Sequence, residues 1–150
     1  MRDDRSLIIV EDDAPYANVL ARSLERRGYR VRIAADPGAV AKLLDEDAFR
    51  YAIVDLNLNP ASGLPCIEAL RRANAATRIL MVSGFANPAN AAEAIRLGAC
   101  GCLAKPVSSD DIEAAFLGAW PVANSRSTYA DDVCDLSASP AADTAGSDRR

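Results

Sequence analysis

The chain has 150 residues, half of them hydrophobic, which is a length for one domain plus a tail and enough apolar surface for a full core. Its net charge of −4 provides no overall basic surface and argues against a large nucleic-acid footprint. Histidine is absent, which excludes histidine-based catalytic dyads, histidine-ligated zinc and a phosphohistidine on the chain itself.

The opening MRDDRS is charged and only four apolar residues follow it. Neither a secretion signal nor a membrane span is expected, and the chain is read as cytoplasmic. Residues 7–10 predict the first strand, which runs into the acids Asp12 and Asp13. Pro15 then stands near a helix start, where a missing N–H costs nothing. Tyr16, Val19, Leu20, Ser23 and Leu24 give that helix its inner face, and Gly28 ends it.

Residues 31–34 predict the second strand, and Asp36-Pro37 opens a second helix with Val40, Leu43 and Leu44 inward. Residues 51–54 predict a third strand ending at Asp55, and the loop LNLNPASG leads to a third helix from Gly63 to Ala73. Residues 79–82 form the fourth strand, closed by Ser83 and Gly84. Asn87-Pro88 caps a fourth helix that stops at Gly98. Residues 102–104 form the fifth strand, closed by Lys105 and Pro106. Ser108 or Ser109 caps the last helix, with Ile112, Ala115, Phe116 and Ala119 inward.

Strand–helix alternation at the spacing of a βα unit implies a parallel sheet. Apolar runs without polar alternation fit strands covered on both faces. Five units are too few for an eight-stranded barrel. The expected fold is α/β, a (βα)5 doubly wound five-stranded parallel sheet in the flavodoxin-like order 2-1-3-4-5. From about Pro121 the pattern dissolves into Ser, Ala and Asp. Residues 1–121 are therefore read as the domain, and 122–150 as a disordered or loosely ordered tail. Cys66, Cys100, Cys102 and Cys134 are spaced for neither zinc nor a CxxC pair and read as reduced thiols.

In such a sheet Asp12, Asp13, Asp55, Ser83 and Lys105 collect at the carboxyl ends of the strands. Gathered carboxylates repel by roughly 4 kcal/mol per pair at about 4 Å and an effective dielectric near 20, so a cation is expected among them. Asp55 can act as a nucleophile toward phosphorus, or be an ordinary loop aspartate. Asp12 and Asp13 can ligate magnesium, or cap the following helix. Lys105 can pair with Asp55, or be a solvated lysine at a strand end. The Ser83 hydroxyl can donate to an oxyanion, or serve a turn.

Taken together, IIVEDD, IVDLNLNPASGL, ILMVSG and AIRLGACGCLAKP with the following SSDDI give a sequence that resembles the CheY-like receiver domain of two-component response regulators, over about residues 5–120. The resemblance implies that Asp55 accepts a phosphoryl group from a sensor histidine kinase. It implies Mg²⁺ held by Asp13, Asp55 and the Asn57 backbone carbonyl, with Asp12 acting through a metal-bound water. Lys105 and Ser83 would bind the phosphoryl oxygens. Output to a downstream protein target would run through the face of the fourth helix, fifth strand and fifth helix, which also serves homodimers in the family.

One position departs from the pattern. Where the family's fifth strand carries a switch aromatic, this chain has Cys102. The run SGFANPANAAEAIRLGA is similar to the RegA/ActR type, whose members add a helix-turn-helix DNA-binding domain. The tail here is too short and too poor in basic clusters for one, so direct nucleic-acid binding is not expected. That leaves a stand-alone receiver, a truncated relative of such a regulator, or a receiver used as a non-phosphorylated interaction domain. A haloacid-dehalogenase-type phosphatase would need an Asp two residues beyond the nucleophile. Asn57 stands there, so an enzyme is not expected.

Overall fold

The structure, a computed structural model, describes residues 5–58, 61–84 and 88–118. The expectations for the 122–150 tail, Asn87, Ala119 and Cys134 lie outside those residues. The elements are β1 (Ser6–Val10), α1 (Ala14–Glu25), β2 (Arg30–Ala34), α2 (Pro37–Glu46), β3 (Tyr51–Asp55), β4 (Asn57–Leu58), β5 (Ala61–Ser62), α3 (Leu64–Ala73), β6 (Arg78–Ser83), α4 (Pro88–Leu97), β7 (Gly101–Ala104) and α5 (Ser109–Phe116). Five strands form one sheet in the order β2-β1-β3-β6-β7, parallel throughout. With the antiparallel β4–β5 hairpin set aside, this is the expected order 2-1-3-4-5.

Pleating divides the core in two. Leu7, Ile9, Ile53, Leu80 and Leu103 point to one face, where Ala17, Leu20 and Leu24 of α1 and Ile112, Ala115 and Phe116 of α5 cover them. Ile8, Val10, Ala52, Val54, Ile79, Met81 and Cys102 point to the other, under Val40 of α2, Cys66, Ile67 and Leu70 of α3, and Ala91 and Ala94 of α4. The central strands are buried on both sides, as their unbroken apolar runs predict.

Local chemistry starts and stops the helices. Asp13 caps α1 by accepting from Tyr16 N–H at 3.1 Å, Asp36 caps α2 through Ala39 N–H at 2.8 Å, and Ser108 caps α5 through Asp111 N–H at 3.0 Å. The choice between Ser108 and Ser109 therefore falls to Ser108. Gly98 follows α4 at φ +124°, a backbone that favours glycine.

Two sequence expectations are corrected. Val19 is not on the inner face of α1 but stands 65% exposed, and Ala17 and Ala21 take the inner positions instead. Their small side chains let the helix lie close to the sheet. Strand β2 is not covered on both faces: Arg30, Arg32 and Ile33 are exposed, because β2 is the edge of the sheet.

The α1–α5 seam is also polar. Arg27 donates to Asp110 and, at 2.8 Å, to Glu113, which also receives Arg5 at 3.4 Å and the Tyr29 hydroxyl at 3.3 Å. Below it Tyr29 meets Tyr51 edge-on at 5.5 Å, and Tyr51 meets Phe116 at 4.6 Å. The Arg27 hydrogen bond, foremost, holds the Glu113 carboxyl below its ordinary 4.5. A depressed carboxyl stabilises the fold above its unfolded value and loses that contribution as pH falls through the folded one. Glu113→Gln should therefore cost about 1 kcal/mol at neutral pH, and the cost should fade in acid. Urea denaturation across pH checks this; an equal cost at both extremes would show that the charge is not what stabilises the seam.

Candidate functional site

The register of the sheet decides which charges meet. Val10 pairs with Val54, so the residue after each, Glu11 and Asp55, stand side by side on neighbouring strands. The backbone ladders run one residue past the strands to keep them there: Glu11 N–H donates to Ala34 carbonyl at 2.9 Å, and Lys105 N–H to Ser83 carbonyl at 2.8 Å. Glu11 is 3% exposed and Asp55 4%, so both carboxylates are almost out of water.

Lys105 lies between them. Its Nζ donates to Glu11 Oε1 at 2.7 Å and to Asp55 Oδ2 at 3.2 Å. The Lys105–Pro106 peptide is cis. Glu11 Oε2 accepts from Asp13 N–H at 3.1 Å, and Asp55 Oδ1 from Asn57 N–H at 3.2 Å. One carboxylate oxygen from each of Glu11, Asp12 and Asp55 lies within 4.8 Å of the others, and Asp12 is exposed. Clustered oxygen donors with one member open to water suit a hard divalent cation that keeps part of its water shell.

Burial, foremost, raises the Glu11 carboxyl above its ordinary 4.5; the Lys105 ammonium pulls it down and Asp55 pushes it further up. Burial works against the Lys105 ammonium, yet its bond to Glu11 and the charge of Asp55 outweigh it and raise Lys105 above 10.5. Both directions hold together because Glu11 is the more deeply buried partner and has a second carboxylate beside it.

The structure thus gathers Asp12, Asp55 and Lys105, but not Asp13 as a member of the acidic group. Among the described residues Glu11 takes that place, and the Asp13 carboxylate is spent on the α1 cap. The acids that stand together with Asp55 are thus Glu11 and Asp12, where the sequence suggests Asp12 and Asp13. The signal that locates Glu11 is its place directly after the last residue of β1, level with the first residue after Val54. Ser83 closes β6 and is 4% exposed; its neighbour across the sheet is Ala104, beside Lys105. Cys102 is buried under α4, its Sγ 3.9 Å from Ala91 carbonyl.

The loop after Asp55 is held by backbone. Leu56 N–H donates to Val82 carbonyl at 3.0 Å, and Gly63 N–H returns to Leu56 carbonyl at 2.7 Å. A β-carbon on Gly63 would fall onto the Asp55 carbonyl oxygen and stand 2.9 Å from Val54 Cγ1.

The response regulator receiver domain family matches residues 7–117. The acid tolerance regulatory protein ActR of Rhizobium meliloti is 42% identical over 115 residues, 76% of this chain and 59% of that protein. The photosynthetic apparatus regulatory protein RegA of Rhodobacter capsulatus is 38% identical over 114 residues, 76% of this chain and 62% of that protein. The chain spans about three fifths of the length of these relatives. A crystal structure of a response regulator protein from Burkholderia pseudomallei, with a phosphorylated aspartic acid, calcium ion and citrate, is similar at 36% identity and a TM-score of 0.74, covering 90% of this chain and 74% of that one.

Two outcomes are expected. Lys105→Met leaves two buried carboxylates without their cation and should cost about 2 kcal/mol at neutral pH. The cost should shrink as pH falls and Glu11 takes up its proton, and also on adding a divalent cation; thermal melts at several pH values check it, and a pH-independent cost would contradict this account. Gly63→Ala drives a methyl into the Asp55 backbone and should destabilise by about 1–3 kcal/mol in chemical denaturation.

Proposed function

The chain belongs to the response regulator receiver domain family, and on that premise we propose that Asp55 is its phosphoryl acceptor. The observation that carries the reading is the Asp55 carboxylate at the carboxyl edge of the sheet, its Oδ2 on Lys105 Nζ and its other neighbours the acids Glu11 and Asp12. The phosphorylated aspartic acid in the similar Burkholderia pseudomallei structure supports it.

In the proposed reaction an Asp55 carboxylate oxygen forms a bond to the phosphorus of a kinase phosphohistidine. The phosphorus–nitrogen bond breaks, and the imidazole nitrogen leaves with its electron pair. Positioning and charge neutralisation supply most of the catalysis in such transfers. Asn57 N–H orients the carboxylate through Oδ1. Lys105 exchanges part of its bond to Asp55 for a phosphoryl oxygen, so that the ammonium follows the negative charge. The Ser83 hydroxyl, at the end of the neighbouring strand, donates to another phosphoryl oxygen.

We assign the divalent cation to Glu11, Asp12 and Asp55, with the Asn57 carbonyl as a further oxygen donor and Mg²⁺ as the ion. Bound there, Mg²⁺ would neutralise the charge of the transferred group. Asp13, an expected ligand, is here the helix cap. The chain acts as acceptor and switch for a partner kinase in the cytoplasm rather than as an enzyme turning over free substrate. Its output reaches a protein target through the α4–β7–α5 face. On that face Cys102 replaces an aromatic, so the signal passes through movement of α4 against β7 rather than ring rotation. Shifting a two-state switch from 1:99 to 99:1 takes about 5.5 kcal/mol, within reach of a dianion held by a metal, a lysine and a hydroxyl.

With Mg²⁺ and acetyl phosphate, the intact protein should gain one phosphoryl group by mass spectrometry, and Asp55→Asn should gain none. An adduct that persists in Asp55→Asn would remove Asp55 from the role. Glu11→Gln and Asp12→Asn should each weaken Mg²⁺ binding about tenfold or more, a loss of roughly 1.4 kcal/mol, in calorimetric titration. Asp13→Asn keeps a good cap and should bind Mg²⁺ like the parent. Loss of binding in Asp13→Asn alone would restore Asp13 as ligand.

A further inference from the structure

Lys105 has a third neighbour besides its two carboxylates. The Tyr16 ring faces the ammonium, with Nζ 4.6 Å from the ring centroid. That is within the range at which an aromatic face attracts a cation. Tyr16 sits in the first turn of α1, and its backbone N–H is the group that the Asp13 carboxylate caps. Its ring packs at the rim of the α1–α5 core together with Val107, two residues beyond the lysine. The Tyr16 hydroxyl is turned inward, where the Val107 backbone bears on it.

Packing alone would be served as well by Leu. The position instead sets a π face against the one ammonium that neutralises Glu11 and Asp55.

We propose that Tyr16 is a positioning residue for Lys105, its ring face confining the ammonium to the track between Glu11, Asp55 and the incoming phosphoryl group. The proposal rests on the phosphoryl-acceptor reading of Asp55. Lysine ends a flexible four-carbon stem, so a site that depends on its ammonium must limit where that ammonium goes. Glu11 and Asp55 fix it by charge, but the transfer reaction loosens the Asp55 contact. A ring face attracts a cation without a directional bond, so it can hold the ammonium while one partner is exchanged for another. The ring also keeps water from one side of the lysine, which strengthens each remaining charge contact. Asp13 then serves the site indirectly: by capping Tyr16 N–H it fixes the turn that carries the ring.

The test uses the full chain with Tyr16→Phe and Tyr16→Leu. Three properties are measured: the rate of Asp55 phosphorylation by subsaturating acetyl phosphate with Mg²⁺, Mg²⁺ affinity without a phosphodonor, and the melting temperature. Lys42 and Lys105 are the only two lysines of the sequence, so the ε-methylene NMR signals of Lys105 can be read directly, with Lys42 as control. Tyr16→Leu should lower the rate about three- to tenfold, leave Mg²⁺ affinity within about twofold, and remove the ring-current shift of Lys105 but not move Lys42. Tyr16→Phe keeps the ring and should restore both the rate and the shift. A parental rate in Tyr16→Leu would overturn the proposal, as would a Phe variant as slow as Leu, or a rate loss that merely follows a loss of melting temperature. A parent protein that takes no phosphoryl group at all would instead overturn the acceptor reading, and the proposal with it.

Discussion

One ammonium between two nearly buried carboxylates is the constraint around which the carboxyl edge of this sheet is organised. Lys105 reaches Glu11 at 2.7 Å and Asp55 at 3.2 Å, and without it the pair would repel in a medium poor in water. The neutralisation is incomplete: among the described residues two buried acids and an exposed third stand together, and Lys105 pairs with the buried two. That residual negative charge suits a metal ion, and on the proposed function the mobility of a lysine would let the ammonium follow the charge to a phosphoryl group on Asp55.

The surrounding fold supplies rigidity where this arrangement needs it. Central strands with apolar residues on both faces put Glu11 and Asp55 level with one another, and Gly63 packs against the Asp55 backbone so closely that even a methyl has no room. Arg27, just past the end of α1, is tied to Glu113 of α5, and Phe116 of α5 packs on Tyr51 of β3, which Tyr29 meets edge-on. Helix α1 therefore presents its first turn, with Asp13 and Tyr16, to the site at a fixed angle.

Much of this was legible in the sequence, and the parts that were not have physical reasons. Strand–helix alternation and turn residues such as Asp36-Pro37 and Gly98 report local preferences, so element order and topology followed from them. Asp55 and Lys105 were legible because each closes an apolar run. The sequence pairs Asp12 with Asp13, whereas Glu11 and Asp12 are the acids that lie by Asp55, and the pattern cannot choose among them because three acids, Glu11, Asp12 and Asp13, stand in succession. Only the pairing of β1 with β3 tells which of them lies level with Asp55. The periodicity puts Val19 inward because alanine is nearly silent in a hydrophobic pattern, whereas in packing the buried Ala17 and Ala21 let helix and sheet approach. The spacing of Tyr16 shows that its ring faces inward but not that it faces Lys105.

The exposed arginines of β2 bear on how the molecule behaves in company. A sheet border is a row of hydrogen-bonding groups onto which another copy can add a strand. Here an incoming strand would have to dehydrate Arg30 and Arg32 on a five-residue border. Arg32 is moreover engaged with Glu46 at 3.2 Å, which keeps a charged pair astride the approach. Crowded copies of this chain therefore meet an electrostatic and hydration barrier on that side, and unwanted fibre-like growth through β2 is disfavoured by the same residues that break its apolar pattern.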